Sequence, residues 1–206
     1  NAELTEIFFP LLRFKNNPEI FYAFLRQQRQ VDITPFKDDL QIGNPGSPVQ
    51  IMVACNPYCG PCAAAHKVLH ELTEMTNVGL TIRLSVKADN EKDNRTIAGK
   101  YLMELAYNGN HVYKRRLLED WYELMNMEKF KDKHPLTNEA DVQYQLEQHE
   151  KWMKEAKIEV TPTIFINGYQ LPKQYKVTDL KNILRRTENT GTENEKTDTK
   201  NILALV

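Results

Sequence analysis

The stretch VACNPYCGPCAAAH, Val53 to His66, gathers all three cysteines of the chain into the eight positions from Cys55 to Cys62. An unbroken apolar run, Ile51 to Ala54, leads into it and reads as a buried central strand. After Cys59 the period changes: Ala65, Val68, Leu69 and Leu72 recur as the apolar stripe of a helix. From Leu80 to Val86, LTIRLSV alternates apolar and polar residues, the pattern of a strand with one buried face. The cysteines therefore fall at the strand-to-helix junction of a βαβ unit, which restricts the chain to the α/β class.

The flanking sequence fills out this unit. Pro18 to Arg29 has helical spacing and is followed by a short VDI strand candidate. Gly43 to Pro48 forms a turn cluster ahead of the central strand. From about Asp89 to Lys157 the period is helical, with an aromatic stripe that includes Tyr101, Trp121 and Tyr122 and reads as core packing. VTPTIFINGYQLP then gives two β-rich runs around Asn167-Gly168, a strong hairpin signal because both turn positions require positive φ. A last helix is expected from Thr178. The polar stretch after Thr187 is expected to be a tail, and no role is assigned to its apolar end ILALV.

Composition narrows the functional classes. A chain of 206 residues, 41 % hydrophobic and 27 % charged, can bury one sizeable core. A formal charge of −1 supplies no basic field for a phosphate backbone, so nucleic acid is not an expected partner. No apolar run approaches the roughly 18 residues that span a bilayer. The first residue is Asn1 rather than Met, as expected of a mature or excised form. Three clustered cysteines are a site rather than a disulfide framework.

Three chemistries compete for that site. Cys55, Cys59 and Cys62 stand in the C-x3-C-x2-C spacing of radical S-adenosylmethionine enzymes and would hold an iron-sulfur cluster, although Pro61 replaces the usual aromatic residue. Adding His66 gives a Cys3His zinc set, although Cys55 lies on the strand side of the turn. The third reading needs only Cys59 and Cys62, a C-x-x-C at a helix start. There the unpaired N–H groups and the macrodipole favour a thiolate at Cys59, and Cys62 lies within disulfide reach one turn on. Pro61 suits an early helical position because its missing N–H is not required there. On this reading no metal is bound, Cys55 is a small buried hydrophobe, and His66 sits on a partly exposed helix face.

CGPC, Cys59 to Cys62, resembles the active site of the thioredoxin superfamily, and VTPT resembles its cis-proline loop, which makes Thr161-Pro162 the cis bond. The long helical stretch is similar to the insertion of Dsb-type bacterial disulfide oxidoreductases. IGNPGSPVQIMVACNPYC is similar to the Dsb-like branch, including domains fused to membrane vitamin K epoxide reductase homologues. Val53 stands where thioredoxins carry a buried acid, and Gly60-Pro61 is a thioredoxin rather than a Dsb dipeptide.

The resemblance implies a thioredoxin fold, a central mixed β-sheet flanked by helices, with an α-helical insertion at about 89–157. The domain would span 41–186, after a lead-in of residues 1–40 and before a tail of 187–206. It implies thiol-disulfide exchange with protein thiols: Cys59 attacks, Cys62 resolves, Gly60 and Pro61 support the turn, and Thr161 and Pro162 dock substrate. The redox-active Cys59–Cys62 disulfide would replace any external cofactor. The expected location is the bacterial periplasm or cell envelope, and the expected partners include a membrane vitamin K epoxide reductase-like protein. A non-catalytic peptide-binding or chaperone module on the same fold is the rival expectation.

Overall fold

The computed structural model describes residues 2–137 and 139–185; the expected tail, with ILALV, lies outside them. The lead-in forms two helices, α1 (Ala2–Lys15) and α2 (Pro18–Leu25). Asn17 caps α2 by accepting the Glu19 N–H at 2.8 Å, and Pro18 takes the first helical position, where no N–H is needed.

Five strands follow: β1 (Leu40–Gly43), β2 (Gln50–Cys55), β3 (Gly79–Leu84), β4 (Thr163–Ile166) and β5 (Tyr169–Gln170). They form one mixed sheet in the order β1-β3-β2-β4-β5, with β2 and β3 parallel and all other pairs antiparallel. Helix α3 (Gly60–Met75) connects the parallel pair. The inserted segment holds α4 (Asn94–Ala106), α5 (His111–Leu124), α6 (Met127–Lys133) and α7 (Gln143–Glu155). The β4–β5 hairpin turns at Asn167 (φ 48°) and Gly168 (φ 88°), the positive values that an Asn-Gly turn supplies. A Cβ at Gly168 would also meet the Val31 carbonyl oxygen at 2.9 Å.

Both faces of the sheet are covered, which explains why the β2 run is apolar without a break. Ile51, Val53 and Cys55 join the main core with residues of α3, α4 and α5. Met52 and Ala54 point the other way, onto Trp152, Ala156 and Phe165.

Two expectations are corrected by this packing. The LTIRLSV segment does not have one wet face: every residue of β3 is buried, because α7 covers the side that Thr81 and Arg83 occupy. Arg83 is held there by Asp39 at 2.9 Å and by the Phe36 ring, 4.1 Å from its guanidinium carbon. VDI is not a strand. Gln30 makes an isolated bridge to Tyr169, and the Asp32 carbonyl accepts Trp152 Nε1–H at 2.6 Å. The N-terminal strand is LQIG, antiparallel to β3.

Candidate active site

Cys59 is the N-cap of α3, with extended backbone (φ −101°, ψ 115°). Its sulfur accepts the Cys62 N–H at 3.2 Å, the place a Ser or Asp oxygen would take in an ordinary cap. Gly60 and Pro61 are the first two helical residues, and a Cβ at Gly60 would meet nothing within 4 Å, so the flank beside Cys59 is open. Cys62 follows in the first turn and is fully buried, whereas Cys59 is partly exposed. All three cysteines are free thiols.

The loop before Cys59 is held by the insertion. Trp121 of α5 donates its indole N–H to the Pro57 carbonyl at 2.8 Å, and Tyr122 donates its hydroxyl to the Asn56 carbonyl at 3.4 Å. Tyr58 packs edge-on against Trp121, with ring centroids 5.3 Å apart. Trp121 and Tyr122 belong to the stripe read as core packing, and they are buried as expected, yet they also hold the loop that leads into Cys59.

The second loop arrives from 102 residues downstream in sequence. The Thr161-Pro162 peptide bond is cis, and the Thr161 carbonyl oxygen faces Cys59 Sγ at 3.5 Å. Antiparallel pairing of β2 with β4, which places Ala54 opposite Thr163, brings this loop beside the cysteines.

The two thiols share their protons. Cys62 is drawn down from 9.0 to about 6, first by a hydrogen bond from Cys55 and then by one from Cys59, against the effect of burial. Cys59 is pushed up by burial and by its bond to Cys62. A pair this close titrates as a unit. The sulfur that can meet another molecule is Cys59, because Cys62 has no exposed surface.

His66 is not on a partly exposed face. It is 2 % exposed, stacked on Tyr122 at 4.0 Å, with Nε2 3.4 Å from Cys55 Sγ and Nδ1 3.3 Å from His70 Nε2. His70 Nδ1 in turn lies 3.1 Å from Glu119 Oε1. The stripe Ala65, Val68, Leu69, Leu72 located the face of α3 toward the sheet but not the flank that α5 covers. The signal that would have revealed this line is the spacing of His66 and His70, one helical turn apart on the cysteine-bearing helix. Cys55, expected as a buried hydrophobe, is fully buried, and its thiol also contacts Cys62 and Tyr122. Among the described residues no group of three or more Cys, His, Asp or Glu side chains is placed to hold a metal ion.

A family model described as thioredoxin matches residues 36–186. The chain belongs to the thioredoxin family. Proteins of this family use their own cysteines without an external cofactor. Comparison with curated protein sequences gives no match. Among solved structures it is similar to the catalytic domain of Proteus mirabilis ScsC, at a TM-score of 0.60 and 14 % identity, covering 75 % of this chain and 91 % of that one. It is similar to BdbD from Bacillus subtilis, at 0.57 and 14 %, covering 77 % and 96 %. A periplasmic thioredoxin-like protein from Salmonella enterica serovar Typhimurium matches at 0.59 and 10 %, covering 77 % and 98 %. At these identities the likeness concerns the fold: a mixed sheet with a helical insertion, as expected from the sequence.

Proposed function

We propose that this thioredoxin-family domain is a thiol-disulfide oxidoreductase acting on protein thiols and disulfides. The observation that carries the reading is the pairing of an exposed N-cap thiol, Cys59, with a buried thiol one turn on, Cys62. A disulfide of the partner is attacked by Cys59 thiolate, giving a mixed disulfide. Cys62 then attacks Cys59 Sγ, the Cys59–Cys62 bond forms, and the partner leaves with two thiols. The same steps run in reverse when the domain oxidises a partner.

Helix start and neighbouring thiol both support this chemistry. The Cys62 N–H that Cys59 Sγ accepts and the dipole at the start of α3 favour negative charge at Cys59, against the burial that pushes its thiol up. Gly60 and Pro61 keep the first turn of α3 open and in register. Thr161 and Pro162 dock an extended segment of the partner beside Cys59, by main-chain pairing of the strand-addition kind. Tyr58, 39 % exposed, and Val160, 70 % exposed, give this area apolar ground that suits a polypeptide.

We place the activity in the cell envelope. One similar protein is described as periplasmic, and no helix among the described residues is long and apolar enough to cross a membrane. Its redox partner is then a membrane protein of the vitamin K epoxide reductase kind, on the resemblance of the lead-in. The reading is tested by equilibrating the protein at graded glutathione ratios and trapping free thiols with maleimide. Cys59 and Cys62 should gain and lose two electrons together between about −270 and −120 mV. A pair that stays oxidised until much stronger reduction would instead fit the peptide-binding rival.

A further inference from the structure

Below about pH 6, where the buried Cys62 thiol carries its proton, resolution of the mixed disulfide requires that proton to leave, and it needs a route to water. Its neighbours are few. Cys59 is consumed in the mixed disulfide, the Asn56 contact is a backbone one, and the Thr161 hydroxyl belongs to the loop a bound partner covers. Among the described residues the remaining group that acts on Cys62 is Cys55, buried in the same core cluster. On the same face of β2, Ile51 and Val53 are apolar and take nothing further.

From Cys55 the line is continuous. Cys55 Sγ to His66 Nε2 is 3.4 Å, His66 Nδ1 to His70 Nε2 is 3.3 Å, and His70 Nδ1 to Glu119 Oε1 is 3.1 Å. The Glu119 side chain is 43 % exposed and opens to solvent. Among the described residues the other branch at Cys55 is the Tyr122 hydroxyl, which ends on the Asn56 carbonyl and passes nothing onward.

We infer that Cys55, His66, His70 and Glu119 form a proton relay that carries the Cys62 proton to solvent as Cys62 resolves the mixed disulfide. The inference rests on the redox reading of Cys59 and Cys62. Each member has a donor and an acceptor in the order required. As Cys62 Sγ attacks Cys59 Sγ, its proton passes to Cys55 Sγ, and the Cys55 proton passes to His66 Nε2. The His66 Nδ1 proton moves to His70 Nε2, the His70 Nδ1 proton moves to Glu119 Oε1, and Glu119 releases it to water. The Cys59–Cys62 bond forms, the bond to the partner breaks, and the partner sulfur keeps the electron pair and takes a proton from solvent.

At the end Cys55 donates to the Cys62 sulfur, both imidazoles have exchanged tautomers, and neither has become charged. Reduction of the Cys59–Cys62 disulfide returns a proton along the same line and resets it.

Such a relay needs imidazoles that remain neutral, and the surroundings provide that. Burial holds His66 well below 6.5, and His70, its charged neighbour when protonated, lowers it further. Burial also lowers His70, against Glu119, which raises it; Arg115 of α5 lowers it and Glu74 of α3 raises it. The remaining groups on His66 are Cys55 and Tyr122, both pushed up by burial and neutral.

The test follows the reduced protein reacting with 5,5′-dithiobis(2-nitrobenzoate). Attack by Cys59 releases one thionitrobenzoate, and attack by Cys62 on the resulting mixed disulfide releases a second. In Cys55→Ala and His70→Phe the second phase should slow about a hundredfold below pH 6 with the first phase unchanged, the lower end of what positioned proton transfer contributes. Glu119→Gln, at a part-exposed side chain that leaves the fold alone, should slow it severalfold. Cys55→Ser, whose hydroxyl both donates and accepts, should retain most of the rate.

A packing role predicts the opposite order, because alanine is the better apolar filler at a dry site. Alanine equal to or faster than serine, a Glu119→Gln second phase unchanged from pH 5 to 8, or both phases slowing together would overturn the relay. Absence of a second release in the unaltered protein would instead overturn the redox reading itself.

Discussion

On the α7 face of the sheet, Arg83, Asp39 and His149 close on one another; on the α3 face, Cys55, His66 and His70 run in an open line from Cys62 to Glu119. Both groups are buried polar side chains in an α/β core, where such residues are costly unless paired. In the closed group each partner turns inward. Arg83 faces Asp39 at 2.9 Å, His149 Nδ1 accepts the Leu84 N–H at 2.8 Å, and its Nε2 stands 3.5 Å from Asp39. Among the described residues no side-chain hydrogen bond runs from this group to the cysteines. In the open group each member faces one partner on either side, and the last faces water. The comparison separates a polar cluster that holds β1, β3 and α7 together from one that serves a reacting sulfur.

The largest effect expected lies at Cys59, the sulfur beside the inner end of the open line. Cys59→Ser should reduce exchange with a disulfide substrate to background in an insulin-reduction assay, because no other thiol of the described site is accessible. The same change should leave thermal unfolding nearly unaltered.

The closed group is broken by Arg83→Met. Removing the guanidinium leaves Asp39 buried without its charge partner, and urea unfolding should show a loss of about 3–5 kcal/mol. Glu119→Gln at the exposed end of the open line should alter stability by less than about 1 kcal/mol, as surface ion pairs do. A large stability loss in the second variant and a small one in the first would reverse the distinction.

Acid separates the two groups further. His66 and His149 have folded values lowered by burial below the ordinary 6.5, so below that pH the unfolded chain binds protons that the folded chain refuses. Their contribution is fully present above pH 6.5 and is lost as the pH falls. These two histidines together should contribute a slope approaching about 3 kcal/mol per pH unit to the decline, since each contributes about 1.4. His149→Gln should lower that slope by one histidine and leave the Cys62 step intact. His66→Gln should lower the slope and also slow the Cys62 step.

Smaller effects lie at the rim of the site. Trp121→Phe deletes the bond to the Pro57 carbonyl and should cost about 1 kcal/mol by urea unfolding, with a slower first attack by Cys59. Gly60→Ala meets open space, so exchange should remain within about twofold of the unaltered rate.

The contrast also explains what the sequence made legible. β2, α3 and the β4–β5 hairpin could be read because each has a local signature: an unbroken apolar run, a period change at the cysteines, and Asn-Gly. LQIG had none. At four residues it is too short to show a period, and it is a strand because β3 offers an edge. Arg83 read as a solvent residue in an alternating strand because its partners Asp39 and Phe36, and the helix α7 that covers it, come from distant parts of the chain. His66 read as surface for the same reason, since Tyr122 of α5 covers it. Cys59 and Cys62 needed no such partner to be found, because C-x-x-C at a helix start is a local pattern. The line behind them was spread over β2, α3 and α5, and only packing brings it together.

The central claim is that Cys59 is the attacking sulfur and Cys62 the resolving one. It is tested most directly by reacting Cys62→Ser with a disulfide-containing protein and mapping the trapped adduct by mass spectrometry. The account predicts a mixed disulfide at Cys59 that accumulates because nothing resolves it. An adduct at Cys55, or no adduct under conditions where the unaltered protein turns over, would contradict it.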